Sequence, residues 1–409
     1  MQLSGDPLVD RLRLYCLKKP GSGETFTFGE TKPAYRLSGG FLLNFAQFYL
    51  EEAPICLLLR CENELLTSMQ AAYPNRIVLS QRIKWETTGW KWVEIGLDGS
   101  IPEAQLHQLL DKSYDSVFSE LDDHDKRMIA LAERNITAEQ ALGELARMHN
   151  LSHQEAQIRE ILRPAILLQT HGIDEASLPL GQSKIGGVPD LPKHWNWPTF
   201  DDQPLAFLAQ VNLSEIPNNI ERESLPQTGI LYFFSVFGWQ QDDGDLHPDL
   251  EWNRSGEAGF SQVLFLSDTH SSLKRHEKPS GIRTFNAAAV EYLATLSLPR
   301  ASAYCRDPFA TALGWTEQEY ERLDDFYFDF EHINDKALGY PGEHQLLGYA
   351  GAIQSAVTQP NTRLLFQIAS DYYNTGMEWG DGGTIYFVIR QGDLERQDFS
   401  TITSDFQCG

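Results

Sequence analysis

The side chains with the most chemistry per unit length lie in Leu364–Arg390, LLFQIASDYYNTGMEWGDGGTIYFVIR. Asp371, Glu378 and Asp381 place three carboxylates close together, and Trp379-Gly380-Asp381-Gly382-Gly383 sets a tryptophan and an aspartate among three glycines. Glycine lets backbone approach a ligand, and crowded carboxylates bind a cation or a basic side chain. They also share a proton as an acid/base pair, but no nucleophile or cofactor motif accompanies them, which sets that chemistry aside. The structural reading is a turn at Asp381-Gly382 with Trp379 plugging the end of a sheet. Gln210 and Gln367 interrupt apolar strands at equivalent places. A buried glutamine needs its hydrogen bonds satisfied, so a network across a repeat interface is expected of this pair. Trp195 and Trp197 follow the glycine-led turn GGVPDLP and either line a peptide groove or cap the core. There is no GxSxG, HExxH, P-loop or GxGxxG opening a helix. His194, His247, His270, His332 and His344 have no ligand spacing. No catalytic residue, metal or cofactor is expected.

The elements that hold these residues read as strands. Leu364–Ile368 and the β-branched, aromatic Thr384–Ile389 flank a loop rich in Asp, Asn and Gly. A weaker copy of this layout lies at Leu205–Phe237, where FLAQVNL is followed by GILYFFSVF. Gln210 precedes Tyr232 by 22 residues and Gln367 precedes Tyr386 by 19. The copies imply two similar half-sheets facing each other across a pseudo-twofold axis. Between them Gln240–Asn334 holds an acidic loop, a strand at SQVLFLSD and the acidic, aromatic LDDFYFDFEHIND, all expected on the rim. The stretch 122–162 carries short amphipathic helices, with Thr137 and Gln140 in capping-box positions.

The chain has 409 residues and a formal charge of −24, enough length for two or three domains. Residues 1–120 hold 12 basic and 15 acidic side chains, a balance of −3, so the remainder carries −21. That field repels nucleic acid and anionic lipid and attracts basic proteins. No apolar run approaches a membrane span, no signal peptide is evident, and five scattered cysteines argue for a reducing cytoplasm.

SKIGGVPDLPKHWNWP, PLAFLAQVNLSEIP, LPQTGILYFF, HQLLGYAGAIQ, LLFQIASD, WGDGGTIYFVI and the terminal QCG occur in order from about Arg163 onward. Together they resemble the YwqG-like family, whose fold implies an α+β domain. Residues 5–120 carry FTFGE, YRLSGGFLLNFA, AAYPNRIV and WKWVEIGLDGSIPEAQLHQLLDKSYDSV, which resemble the MmcQ/YjbR-like family, small α+β domains with a frataxin-like fold. That resemblance implies a DNA-binding role. Arg76, Arg82, Lys84 and Lys91, interleaved with Trp85, Trp90 and Trp92, would supply its basic aromatic face. Two positions depart from that family: Lys91 stands where it has a histidine, and Phe41 follows Gly39-Gly40 where it has a lysine.

The expectation is therefore an α+β chain with a domain at 1–121, a helical connector at 122–162 and a second domain at 163–409. Its leading function is that of a binding protein whose acidic C-terminal domain engages a basic protein partner, in a regulatory or immunity-type role. The alternatives are an enzyme acting on a small ligand between the two halves, and DNA binding through the N-terminal domain.

Overall fold

The computed structural model describes residues 5–25, 31–37, 44–82, 90–222, 224–238, 257–267, 272–280, 282, 284–338 and 344–409. The FTFGE segment, Gly39-Gly40-Phe41, Lys84, Trp85, the Thr87–Gly89 turn, the acidic loop after Gln240, His247 and His270 lie outside them. The chain is a mixed α+β protein that divides into two compact units, Met1–Ile136 and Thr137–Gly409.

In the first unit α1 (Pro7–Leu17) starts at Asp6, whose carboxylate accepts the amides of Leu8 and Val9, the N-cap arrangement that satisfies orphan donors. Strands β1 (Ser22–Thr25), β2 (Ala34–Leu37), β3 (Asn44–Tyr49) and β4 (Cys56–Glu62) precede α2 (Asn63–Ala72). After these come β5 (Ile77–Leu79), β6 (Trp90–Gly96), α3 (Glu103–Glu120) and α4 (Asp123–Ala132). The six strands form one antiparallel sheet in the order β1-β2-β3-β4-β6-β5. Helix α3 joins it through Ser113, whose hydroxyl accepts from Arg60 N (2.9 Å) and donates to Phe45 O (2.5 Å). This bridge sits one step beyond the last β3–β4 pair, Ala46 with Leu59. Helix α4 docks by laying Ile129 on Gly21, which has φ +66° and would place a Cβ 2.6 Å from Ile129 Cγ1.

The second unit opens with α5 (Ala138–Met148), whose Thr137–Gln140 capping box makes both of its bonds, and α6 (Glu155–Ile161). The helical stretch 122–162 is thus shared: α4 lies in the first unit, α5 and α6 in the second. Then come β7 (Arg163–Gly172), β8 (Lys184–Ile185), β9 (Asp190–Pro192), β10 (Thr199–Phe200), β11 (Gln203–Pro204), β12 (Ala206–Asn212), β13 (Ile230–Ser235), β14 (Ser261–Leu266) and β15 (Leu273–Arg275). The chain continues as β16 (Ala288–Ser297), α7 (Pro308–Thr311), α8 (Glu317–Leu338), β17 (Gln345–Leu347), β18 (Thr362–Ala369), β19 (Thr384–Arg390), α9 (Gln391–Glu395) and β20 (Ile402–Gln407).

Ten of these strands make one antiparallel sheet, β14-β13-β12-β8-β16-β7-β17-β18-β19-β20. The two sequence copies lie on opposite flanks of this continuous sheet, not in separate half-sheets. Its middle is the β7–β16 pair, in register from Arg163–Ser297 to Gly172–Ala288. Strand β16 comes from the Gln240–Asn334 stretch expected on the rim. Its AAVEYLATLS pattern has weak alternation, and ten consecutive pairings with β7 place it at the centre. In α8, Tyr320, Leu323, Phe326, Phe330 and Ile333 are buried at helical spacing, so LDDFYFDFEHIND lies within one long helix and buries one face of it.

Each flank is bent by a bulge, between Phe207 and Ala209 in β12 and between Leu364 and Phe366 in β18. A bulge bends a strand and raises its twist, and here the flanks turn face to face. The Phe233 ring meets Phe366 at 4.6 Å and Phe387 at 5.1 Å. The outermost strands touch where Ser261 Oγ lies 2.7 Å from Ser404 Oγ. Among the described residues no backbone ladder joins β14 to β20. All five cysteines are free, and no helix among the described residues is long and apolar enough to cross a membrane.

An isolated fragment 1–136 is expected to unfold cooperatively. A fragment 1–121, lacking Ile129 against Gly21, is expected to melt several degrees lower. Equal melting temperatures by circular dichroism would show that α4 adds nothing to the first unit.

Candidate functional site

Gln210 and Tyr232 are cross-strand partners on β12 and β13, and Gln367 and Tyr386 are partners on β18 and β19. On the first flank Gln210 Oε1 accepts from Asp190 N (2.9 Å) while the Tyr232 hydroxyl donates to Asp190 O (2.7 Å). On the second, Gln367 Oε1 accepts from Gly351 N (3.0 Å) and the Tyr386 hydroxyl donates to Gly351 O (2.8 Å). The same three-part clasp therefore holds one residue of the preceding turn on each flank. Neither glutamine reaches across to the other flank; each network is local.

Asp190 brings a charge into its clasp. Lys184 and Asp190 are fully buried. Lys184 Nζ lies 2.8 Å from Glu175 Oε1 and 3.4 Å from Asp190 Oδ2, and Arg275 Nε lies 2.9 Å from Asp190 Oδ1. Gly181 N (3.0 Å) and Gln210 Nε2 (3.0 Å) also donate to Asp190 Oδ2. Burial pushes this carboxyl upward, but the Arg275 bond, the Lys184 charge and the two neutral donors outweigh it and hold it below the ordinary carboxylate value. Such a fully partnered network carries structure.

The glycine-rich loop is structural as well. Trp379 is 0% exposed, donates from Nε1 to Ala369 O (3.2 Å) and meets the Phe285 ring edge-on at 5.4 Å. It plugs the sheet and offers no surface to a partner. Gly380 and Gly382 have φ of +60° and +64°, and a Cβ on Gly383 would fall 2.4 Å from both Gln407 O and Trp379 O. Glu378 and Asp381 are exposed. Asp371 is buried and accepts from Thr170 Oγ1 (2.8 Å) and from Asn374 N (3.2 Å) and Nδ2 (3.1 Å). The three carboxylates are thus split between core and surface and form no common cluster. His344, read from the sequence as a lone histidine, is fully buried: its Nδ1 accepts from Ala369 N (3.2 Å), and its Nε2 stands 3.7 Å from Asp371 Oδ2. Burial raises the Asp371 carboxyl, while His344, Thr170 and Asn374 together outweigh it and hold it below its usual range. Nothing in the local spacing around His344 signals this, because its side-chain partners come from the end of β18 and the loop that follows it.

Two basic candidates of the first unit, Arg76 and Arg82, are paired with carboxylates. Arg76 pairs with Asp98 (2.9 Å), and Arg82 pairs with Glu52 (2.6 Å) and Glu94 (3.2 Å) and covers the Tyr49 ring at 4.3 Å. Lys91 and Trp92 are successive residues of β6 and point to opposite faces, the Trp92 ring lying 5.5 Å from the Arg60 guanidinium. Residues 1–136 hold 15 basic and 19 acidic side chains.

Concave surface lies elsewhere, along the seam between β14 and β20. One cavity of about 670 Å³ is lined by Gly259, Gln262, Leu264, Thr362, Arg390 and Thr403 among others. A second of about 560 Å³ is lined by His194, Trp195, Asn196, Phe265, Asp398 and Phe399 among others. They share Val263, Leu264 and Ser400 and so adjoin along the seam, where they are taken together as a groove. Its aromatic end holds Trp195, whose ring meets Tyr232 at 6.0 Å, and the Phe265–Phe399 pair at 5.1 Å. Trp197 is half-buried, donating from Nε1 to Leu205 O (2.8 Å) and packing edge-on against Phe234. Of the sequence-derived candidates, Trp195 is the one that lines the groove. The rest of the groove mixes residues of β14, β18, β19 and β20 with loop residues around 194–196, 258–259 and 397–401, none of which carries a motif of its own.

A family model described as a domain of unknown function, DUF1963, matches residues 183–408, a span that takes in both clasps and the groove. The crystal structure of Deinococcus radiodurans protein DR2400, of family-model domain DUF419, is similar to part of the chain at 25% identity. That similarity covers 32% of this chain and 92% of that one, with a TM-score of 0.27. None of the curated proteins compared with the chain matches it.

Asp190→Asn is expected to destabilise the second unit by about 3–5 kcal/mol at neutral pH, because it removes the buried carboxylate that faces Arg275 and Lys184 and leaves Lys184 only Glu175 as an anionic partner. A carboxyl held low when folded adds stability above its unfolded pKa and loses it as pH falls through the folded value. The gap between wild type and variant is therefore expected to shrink below about pH 4. A gap that stays constant down to pH 2 in chemical denaturation would contradict the ionised assignment.

Proposed function

The chain belongs to the DUF1963 family, and on that footing we propose that it is a binding protein whose second unit takes an extended, basic segment of a partner along the β14–β20 groove. One observation carries this reading: two edge strands, each with a single neighbour among the described residues, border two adjoining cavities along their seam. An edge strand presents unpaired N–H and C=O groups that template an added strand, with side-chain pockets supplying specificity. Trp195, Phe265 and Phe399 form such a pocket at one end. The preference for a basic segment follows from charge. Residues 137–409 carry 18 basic and 38 acidic side chains, and the exposed Asp398 in the groove is held below its usual range by its Ser400 bonds. Such a field steers encounter and favours partners of opposite sign.

The same proposal places the protein in the cytoplasm, in a regulatory or immunity-type role, and treats the two flanks as copies of one unit related by an internal twofold. The recurring clasp and the paired bulges support the copy relation. For the first unit we keep the MmcQ/YjbR-like, frataxin-like assignment as a proposal, resting on its LDG…LLxxSYxxV segment.

Display selection of extended decapeptides on the full chain is expected to recover cationic sequences whose binding weakens with salt. The exposed pair Asp398→Lys and Thr403→Lys is expected to weaken them by roughly tenfold or more. Equal affinity for wild type and the double variant would remove the groove from the account.

A further inference from the structure

The two adjoining cavities differ in charge. Among the described residues, the one beside Trp195 is bordered by a single carboxylate, Asp398, and by no lysine or arginine. The one along Thr362 and Thr403 is bordered by a single charged side chain, Arg390, and by no carboxylate. That runs against the composition of the unit, in which residues 137–409 carry 18 basic and 38 acidic side chains. Arg390 ends β19. Phe387 and Ile389 of that strand enter the core, so Val388 and Arg390 face the other way. Val388 lies opposite Thr403 in one ladder and Arg390 opposite Thr362 in the other, which sets Arg390 on the same sheet face as both threonines.

The polar groups around Arg390 are already engaged with one another. Thr362 Oγ1 accepts from Gln359 N (2.7 Å) and donates to Gln359 O (3.1 Å). Thr401 Oγ1 donates to Asp393 Oδ2 (2.7 Å), and Asp393 also pairs with Arg396. Ser400 Oγ donates to Asp398 Oδ1 (2.5 Å). Arg390 is exposed, makes no capping bond to α9, and its side chain has no hydrogen bond or ion pair among the described residues. A guanidinium beside a cavity without carboxylates is a ready partner for an incoming one, whose two oxygens match its fork of donors.

On the reading that the groove takes a basic segment, on which this inference rests, we propose that the segment is the C-terminal end of its partner. Arg390 holds the terminal carboxylate, and Asp398 holds a basic side chain upstream of it. A segment that merely passes through the groove presents neutral peptide groups to Arg390. A chain end supplies one carboxylate without any acidic residue in the segment. The cavities adjoin at Val263, Leu264 and Ser400, so a single extended segment can meet both charges.

The test uses two synthetic pools of N-acetylated, lysine-rich hexapeptides that differ only at the C-terminus, one ending in a free carboxylate and the other in a carboxamide. They compete for the immobilised full-length chain, and the retained peptides are counted by mass spectrometry. The acidic field of the unit taken alone favours the carboxamides, which carry one more net positive charge. The expected result is the reverse, a retention of carboxylates over carboxamides of roughly tenfold. Arg390→Gln, which removes no internal bond, is expected to bring that ratio to one or below while retaining as much carboxamide as wild type. Asp398→Asn is expected to weaken both pools without changing the ratio. A wild-type ratio at or below one would overturn the chain-end assignment and leave the groove reading standing. A ratio undiminished by Arg390→Gln would overturn the role given to Arg390. Retention of neither pool by wild type would remove the groove reading and this inference with it.

Discussion

Phe233 packs against Phe366 and Phe387 with ring centroids 4.6 and 5.1 Å apart, and this contact fixes how the second unit is built. Aromatic pairs at these separations bury large apolar area and prefer tilted or edge-on geometry. To reach it, one continuous sheet has to curl, and the bulges in β12 and β18 supply the bend. Curling brings the outermost strands together at Ser261 and Ser404 without joining their backbones. The groove is the consequence: a sheet rolled far enough to bury its inner face but left open along one seam.

The bulges also place the glutamines. Each bulge falls just before the glutamine of its strand, so Gln210 and Gln367 are set against Tyr232 and Tyr386 and face the turns that the clasps hold. On the first flank the clasp closes over a charge network in which every named polar atom of Asp190 has a partner. On the second it closes over a glycine. A buried carboxylate with two cations is tolerable because its bonds outweigh its desolvation.

Much of this was legible in the sequence because it rests on local pattern. The spacings Gln210–Tyr232 and Gln367–Tyr386 appear in the structure as cross-strand pairs, the Thr137 capping box forms, and the turn reading of Asp381-Gly382 with a buried Trp379 agrees with the observed contacts. What local pattern does not encode was missed. Strand β16 alternates too weakly to stand out and is central only through its partner β7. The clasped residues, Asp190 and Gly351, lie in turns whose role depends on strands elsewhere in the chain. The groove is assembled from two edge strands, whose contact residues Ser261 and Ser404 are 143 positions apart, and from the loops beside them, so no one segment carries a signature alone. Carboxylates that are neighbours in sequence, Asp371 and Asp381, diverge because one is fixed by Thr170 and Asn374 in the core and the other sits on a turn.

Hydrogen–deuterium exchange of the full chain, with and without a saturating cationic peptide, addresses the open seam most directly. The account expects fast exchange on the outer edges of β14 and β20 in the free protein, and protection on binding confined to residues 261–266 and 400–404. Slow exchange on both edges before any peptide is added, or protection appearing only in the first unit or around 371–381, would contradict it.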